Sequence, residues 1–382
     1  MTTMPTDAPS AASPARTPGG RVFNFSAGPA VLPEKVIEEV QRDLWDFRGC
    51  GMGVCELSHR GKEFDTILQE AFEFCREVGK VPENYRIIFF QGGATTQTSM
   101  IPTSFLPQGA TADYLKTGKW AKEAIKEAKK IGTVHLAFDS EDTKFDRLPT
   151  GPSDYDFSAD AAYLWFCSNN TIYGTEFKHV PPTSAPVVRD ASSDMYSRPV
   201  DWAPLSMVYA SAQKNLGPSG QALVIARDDF LAKAPLDESL PIMWDYNVQF
   251  NKESRSNTPN TFAIYMMGRV FKWILDEFGS LEEVERYNEE KAALVYDAID
   301  HSDGFYIPHA KPESRSIMNV TFRCPTEELD AAFIKEAGEA GFKTISGHRS
   351  IKGMRASIYN AMPIDGCRQL AAFMKAFQQN HA

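Results

Sequence analysis

A chain of 382 residues with 43% hydrophobic content is long enough for two packed domains with a full core. Its formal net charge of -10 argues against general nucleic-acid binding, since affinity for a phosphate backbone comes from basic surface, and no apolar run approaches the roughly 18 residues of a membrane span. The 6 cysteines lie scattered, without the paired spacing of a zinc site or the density of a disulfide scaffold, so no metal site is expected and reduced thiols in the cytoplasm are.

Residues 1–20 are rich in Ala, Pro, Ser and Thr and read as a disordered N-terminal tail. The same composition partly fits a targeting segment, although the apolar core of a secretory signal and the several arginines of a transit peptide are missing. From Arg21 onward short apolar runs alternate with helical stretches. That pattern predicts an α/β domain over residues 21–279, built on a mostly parallel sheet. Strands are expected at 86–90, 161–167, 186–188, 207–210 and 222–226, and residues 119–130 place alanines and isoleucine on one side and charges on the other, an amphipathic helix. Past Thr258 the texture changes to long helical patterns at 262–278, ending at Gly279, and at 281–299. A strand at 318–322, a helix at 326–340, a strand at 355–358 and a helix at 365–378 complete a small α+β domain over residues 280–382.

The segment 206–226, S-M-V-Y-A-S-A-Q-K-N-L-G-P-S-G-Q-A-L-V-I-A, puts Lys214 in a Gly/Pro-rich turn between two apolar strands. An amine held at a strand end with lowered proton affinity suits Schiff-base chemistry; the segment alone equally fits a surface lysine in a hairpin turn. Asp190 closes the run P-V-V-R-D one strand earlier. A carboxylate there can hold a pyridinium proton, which lets the ring take up the electrons of a carbanion, and an Asp so placed is otherwise a turn former or cap. Gln91-Gly92-Gly93-Ala94-Thr95-Thr96 follows a strand and leads into a helix-compatible stretch. Small residues let backbone N–H groups approach a phosphate at a helix start, although two glycines also occur at such turns for conformational reasons alone.

With these three features go the strings N-F-S-A-G-P-A at 24–30, S-H-R-G-K-E-F at 58–64, A-D-Y at 112–114, A-Q-K-N-L-G-P-S-G at 212–220, N-T-P at 257–259 and G-H-R-S-I-K-G-M-R-A-S-I-Y-N-A-M-P at 347–363. On them the chain resembles the phosphoserine aminotransferase family, of the class V aminotransferases among the fold-type I pyridoxal-phosphate enzymes. The resemblance implies a large α/β domain with a mostly parallel sheet, a smaller α+β domain, and pyridoxal 5'-phosphate bound to Lys214 as a Schiff base. It further implies that Asp190 meets the pyridine nitrogen, Trp120 stacks on the ring and Thr171 bonds the ring hydroxyl. Ala94, Thr95 and Gln213 would hold the cofactor phosphate, together with Asn257 and Thr258 from across the interface of a homodimer. The chain departs from the commonest family pattern at Thr95–Thr96, Asn170 and Asn260.

An enzyme working between phosphoserine and glutamate must accept a phosphate and a γ-carboxylate in one pocket. His59, Arg60, His348 and Arg349 are the expected donors, and Arg355 is the expected fork for the α-carboxylate. Each His-Arg dipeptide, taken singly, also reads as an exposed loop. The implied reaction passes an amino group between glutamate and 3-phosphooxypyruvate, giving O-phospho-L-serine and 2-oxoglutarate in serine biosynthesis. Some members also aminate a phosphorylated four-carbon hydroxy acid, giving the phosphorylated hydroxythreonine of pyridoxine biosynthesis, and the sequence leaves that activity open. Competing readings are an alanine or serine aminotransferase acting on glyoxylate, a cysteine desulfurase, and a binding protein that keeps the fold without the reaction.

Overall fold

Ile87 and Phe89 pack into one hydrophobic layer while Ile88 and Phe90 pack into another, the period of two that marks a strand covered on both faces. The computed structural model describes residues 14–234 and 240–382. Its strands are β1 (Phe23–Asn24), β2 (Tyr85–Gln91), β3 (Thr111–Lys116), β4 (Thr133–Asp139), β5 (Leu164–Cys167), β6 (Asn169–Asn170), β7 (Thr175–Glu176), β8 (Val187–Asp190), β9 (Leu205–Ser211), β10 (Gln221–Arg227), β11 (Ile307–Pro308), β12 (Asn319–Arg323), β13 (Phe342–Lys343) and β14 (Met354–Ser357). Its helices are α1 (Glu34–Trp45), α2 (Lys62–Gly79), α3 (Ala94–Phe105), α4 (Lys119–Ala128), α5 (Asp228–Leu231), α6 (Tyr246–Asn251), α7 (Thr261–Phe278), α8 (Leu281–Asp300), α9 (Glu327–Glu339) and α10 (Ile364–His381).

Seven strands form the central sheet in the order β2-β10-β9-β8-β5-β3-β4. All neighbours are parallel except β10, which runs antiparallel to both β2 and β9. Apolar stripes of α2 and α7 cover one face through residues such as Phe64, Leu68, Met267 and Phe271. The other face is covered by α3, α4 and α6 through Ile101, Phe105, Ala124 and Tyr246. The open ends of β5, β8 and β9 therefore point their connections at one rim, where sheets of this kind place their ligands.

Two strands of this sheet are absent from the sequence-based expectation. β3 carries Asp113 at its centre, fully buried, because its carboxylate accepts from the Ser158 backbone N–H at 2.9 Å and from the Ser158 hydroxyl at 2.6 Å. β4 is one of the two edge strands, with Thr133 exposed at its start, and its pattern is too polar to stand out.

The C-terminal unit is an antiparallel sheet, β11-β12-β14, whose core also takes side chains from α8, α9 and α10. Phe23 and Phe25 lie in this core, and β1 pairs parallel with β13, so the start of the chain joins the smaller unit. Helix α8 spans both cores: Leu281 and Val284 pack with the large layer, Val295 and Ile299 with the small one. Part of the expected N-terminal tail is ordered. Thr17 is 7% exposed and donates its hydroxyl to Glu34 at 2.5 Å, and the Ala15 N–H donates to the Ala340 carbonyl at 2.7 Å. Enough hydrogen bonding reaches residues 14–20 to offset the entropy that composition alone favours; residues 1–13 lie outside the described residues. Among the described residues no helix is long and apolar enough to cross a membrane.

Candidate active site

The turn after β2 is built for close backbone approach. Gly92 has φ 103°, a conformation that side chains strain to adopt, and a Cβ on Gly93 would come within 2.8 Å of the Ser211 hydroxyl. Helix α3 then starts at Ala94 with no side-chain cap from Gly93 and no acidic residue in its first turn. Its first N–H groups, from Ala94 and Thr95, thus face outward with the positive end of the helix dipole behind them. Gln213 is held at the same place, its amide oxygen accepting from Ser211 at 2.5 Å. These residues form a cradle suited to a phosphate.

Lys214 lies on the connection between β9 and β10, and its Nζ donates to the Thr171 hydroxyl at 2.6 Å. Thr171 sits in the tight turn between β6 and β7. The same Nζ stands 5.5 Å from the centre of the Trp120 ring, and Trp120 at the start of α4 leaves 37% of its surface exposed, an aromatic face with room for another ring. Burial pushes the Lys214 amine below the ordinary lysine range, the Asp190 charge opposes this, and Arg355 adds to the depression. Asp190 ends β8, is buried, and accepts from the Ser192 N–H at 2.9 Å. Burial raises its carboxyl above the usual carboxylate range, against the Ser192 hydrogen bonds and the Lys214 charge. A protonated ring nitrogen set against Asp190 would stabilise its ionised form, so the residues present fit pyridoxal phosphate.

The cationic side of the site gathers around His348. Burial lowers its proton affinity, and so do the positive charges of Lys119, Arg355 and Arg349. Arg355, on β14, is half-buried with its Nε partnerless; burial weakens even its hold on the proton, with Tyr359 opposing. The loop that carries His348 and Arg349 is pinned by Ile351, which packs against Phe145, Ile172 and Tyr173, next to Thr171. Lys119 was not among the residues expected from sequence. Its signal is a basic residue in the first turn of α4, where the helix dipole favours acids, directly beside Trp120.

Lys214, Asp190, Thr171, Trp120, His348, Arg349 and Arg355 thus cluster within the chain, whereas His59 and Arg60 do not join them. His59 and Arg60 line a separate cleft of about 450 Å³ with Arg255 and Asn251. Arg255 contacts the His59 carbonyl at 3.5 Å, whereas the Thr258 carbonyl accepts from Gln91 at 2.8 Å, which sets Asn257 and Thr258 beside the glycine turn that opens the phosphate cradle. A larger cleft, about 630 Å³, lies behind the 348–352 loop and includes Lys122, Lys144 and Arg323 but neither Lys214 nor Asp190. The residue chemistry, not cleft size, locates the candidate site.

Residues 22–370 match the model of the class-V aminotransferase family. A phosphoserine aminotransferase of Lysinibacillus sphaericus is 47% identical over 362 residues, covering 94% of this chain and 99% of the relative. The structure of the phosphoserine aminotransferase from Bacillus circulans subsp. alkalophilus superposes with a TM-score of 0.92 at 45% identity, over 95% of this chain and 99% of that one. The pyridoxal-phosphate-bound enzyme from Trichomonas vaginalis superposes with a TM-score of 0.88 at 39% identity, over 93% of this chain and 100% of that one. The chain belongs to the class-V aminotransferase family, on its phosphoserine aminotransferase branch.

Proposed function

We propose that this chain moves an amino group between glutamate and 3-phosphooxypyruvate, giving O-phospho-L-serine and 2-oxoglutarate, with pyridoxal 5'-phosphate as cofactor and serine biosynthesis as its setting. The observation that carries the reading is Arg355, a half-buried guanidinium with a partnerless Nε whose charge reaches both Lys214 and His348. So placed, it calls for a carboxylate brought by the substrate.

The bound cofactor supplies an aldehyde for covalent attachment and a ring that accepts electrons. Lys214 would hold it, and the lowered proton affinity of Nζ suits that amine to take the proton from the substrate α-carbon and to return it. Asp190 would keep a proton on the ring nitrogen. Trp120 would cover one ring face, Thr171 would meet the ring hydroxyl, and Ala94, Thr95 and Gln213 would hold the phosphate. Arg355 receives the α-carboxylate common to both substrates. His348, Arg349 and Lys119 receive the distal phosphate or γ-carboxylate, whose different shapes call for several adaptable donors.

A homodimer completes the reading. His59 and Arg60 line a cleft with Arg255 apart from Lys214, which suits one face delivering them to the site of a second copy, and the family resemblance adds Asn257 and Thr258 to what that copy would receive. All six cysteines are unpaired, in keeping with a reducing cytoplasm. Four of the six thiols do not suit a desulfurase: burial pushes those of Cys75, Cys324 and Cys367 up to about 12 and raises that of Cys167 as well, away from a reactive thiolate, which leaves the exposed Cys50 and Cys55.

Purified protein should be yellow, from a band absorbing in the violet-blue, and should lose that band on borohydride treatment, with the adduct on Lys214. It should consume glutamate and 3-phosphooxypyruvate in a coupled assay, with serine and alanine as poor donors. Lys214→Ala should reduce turnover on the order of 10⁴-fold. Normal turnover by that variant, or preference for alanine over phosphoserine, would falsify the assignment.

A further inference from the structure

Three consecutive backbone carbonyls in the segment that follows Asp190 are each bound by a different asparagine. Asn215 donates to the Met195 carbonyl at 2.8 Å, Asn360 to the Tyr196 carbonyl at 2.8 Å and Asn288 to the Ser197 carbonyl at 2.9 Å. The three are also joined to one another. The Asn360 backbone N–H donates to Asn215 Oδ1 at 2.9 Å, and Asn288 Nδ2 donates to Asn360 Oδ1 at 2.9 Å. Their exposures are 7%, 2% and 0% for Asn215, Asn360 and Asn288, so water does not supply these bonds.

Each asparagine comes from a different part of the fold. Asn215 follows Lys214, Asn288 is on α8, and Asn360 follows the β14 strand that bears Arg355. The segment they grip holds Tyr196 at φ 59° and fully buried, a backbone conformation that a bulky residue keeps only where its surroundings impose it. Every amide nitrogen of the network is engaged, with Asn288 Oδ1 its one partnerless atom, and buried bonds of this kind restrain the backbone they grip.

We infer that Asn215, Asn288 and Asn360 form a positioning ladder that keeps the Asp190 segment, the Lys214 turn and the Arg355 strand in one frame. The inference rests on the aminotransferase reading, since it concerns the spacing of that site's acid, amine and carboxylate fork. None of the three asparagines touches the reacting groups. They act through residues that do, and a misplacement of about 1 Å at such a site costs on the order of 100-fold in rate.

The test compares Asn360→Leu and Asn288→Leu with Ser302→Ala in the loaded enzyme. Ser302 is also buried and bonds the Ile299 carbonyl and the Tyr306 N–H, but lies apart from the ladder. Asn360→Leu and Asn288→Leu should lower kcat by roughly 10-fold or more, with KM for glutamate changed far less. They should also move the midpoint of the pH titration of the cofactor's absorbance, which reports the Lys214 linkage. Ser302→Ala should lower thermal stability and leave that midpoint in place. Ladder variants that lose only stability, with kcat and the midpoint unmoved, overturn the proposal. If the leucine variants do not fold, Asn360→Ser and Asn288→Ser carry the same comparison, because a hydroxyl keeps one donor. Wild-type protein without the absorbance or the transfer activity would instead sink the aminotransferase reading.

Discussion

Arg189 and Asp194 form an ion pair of 2.7 Å with both side chains buried, and Arg189 directly precedes Asp190 in β8. Asp194 also accepts from the Ser168 hydroxyl at 2.6 Å, while Arg189 Nε has no partner. Asp194→Asn keeps the shape but strands the arginine charge in the interior, a change that costs about 3–5 kcal/mol. Chemical denaturation should register that loss, and a change below about 1 kcal/mol would mean that the pair is dispensable.

Arg355 should resist conservative replacement. Arg355→Lys keeps a charge but loses the planar fork that meets a carboxylate with two parallel bonds. KM for both glutamate and phosphoserine should rise by roughly 10- to 100-fold in Arg355→Lys and at least as much in Arg355→Ala, in line with charge-assisted bonds of about 1.5–3 kcal/mol. Steady-state kinetics with the two donors checks this, and an unchanged KM for either would remove Arg355 from the carboxylate role.

Substrate binding should respond to pH through His348. Its proton affinity is held down by burial and by three cationic neighbours, and an anion bound beside it would raise that affinity again. Binding therefore takes up a proton, and affinity improves as pH falls through the interval between the free and bound values. KM for glutamate should fall as pH is lowered from about 8 to about 6, within the histidine range, and His348→Gln should flatten the dependence. A variant with the wild-type slope would show that another group titrates.

Lys291 on α8 is fully buried, donates to the Ile358 and Tyr359 carbonyls at 2.9 and 2.7 Å, and is pushed by burial down to about 7. The unfolded chain, with an ordinary lysine, binds more protons between that value and the unfolded one near 10.5. Stability from this group consequently rises with pH across that window, with a slope of up to about 1.4 kcal/mol per pH unit, and levels off below it. The difference in unfolding free energy between wild type and Lys291→Met should grow as pH rises from 7 towards 10. A difference independent of pH would place the lysine's titration outside this window.

Lys214, Asp190 and the glycine turn are legible in the sequence because each marks the end of an apolar strand, and strand ends are where a doubly covered sheet meets solvent. The strings around His348 and Arg355 are legible for a different reason, the density of cations beside glycine and serine in an acidic chain. Lys119 is only half legible, since a basic residue at a helix start is a local oddity but its role depends on α4 starting beside the 348 loop, a long-range contact. The three asparagines are silent, because a buried amide and an exposed one look alike until the chain is folded. Asn260, which departs from the commonest family pattern, has a local account: its side chain caps α7 by accepting from the Ala263 N–H at 3.1 Å, which a proline could not do.

The one reversed strand in the central sheet has a consequence for the amine itself. Because β10 runs back alongside β9, residues 212–220 need no crossover helix and are anchored to neighbouring strands at both ends. Lys214 is consequently mounted on a short bracket of the sheet, not on a swinging arm. Lengthening that bracket by even a residue would displace the nucleophile.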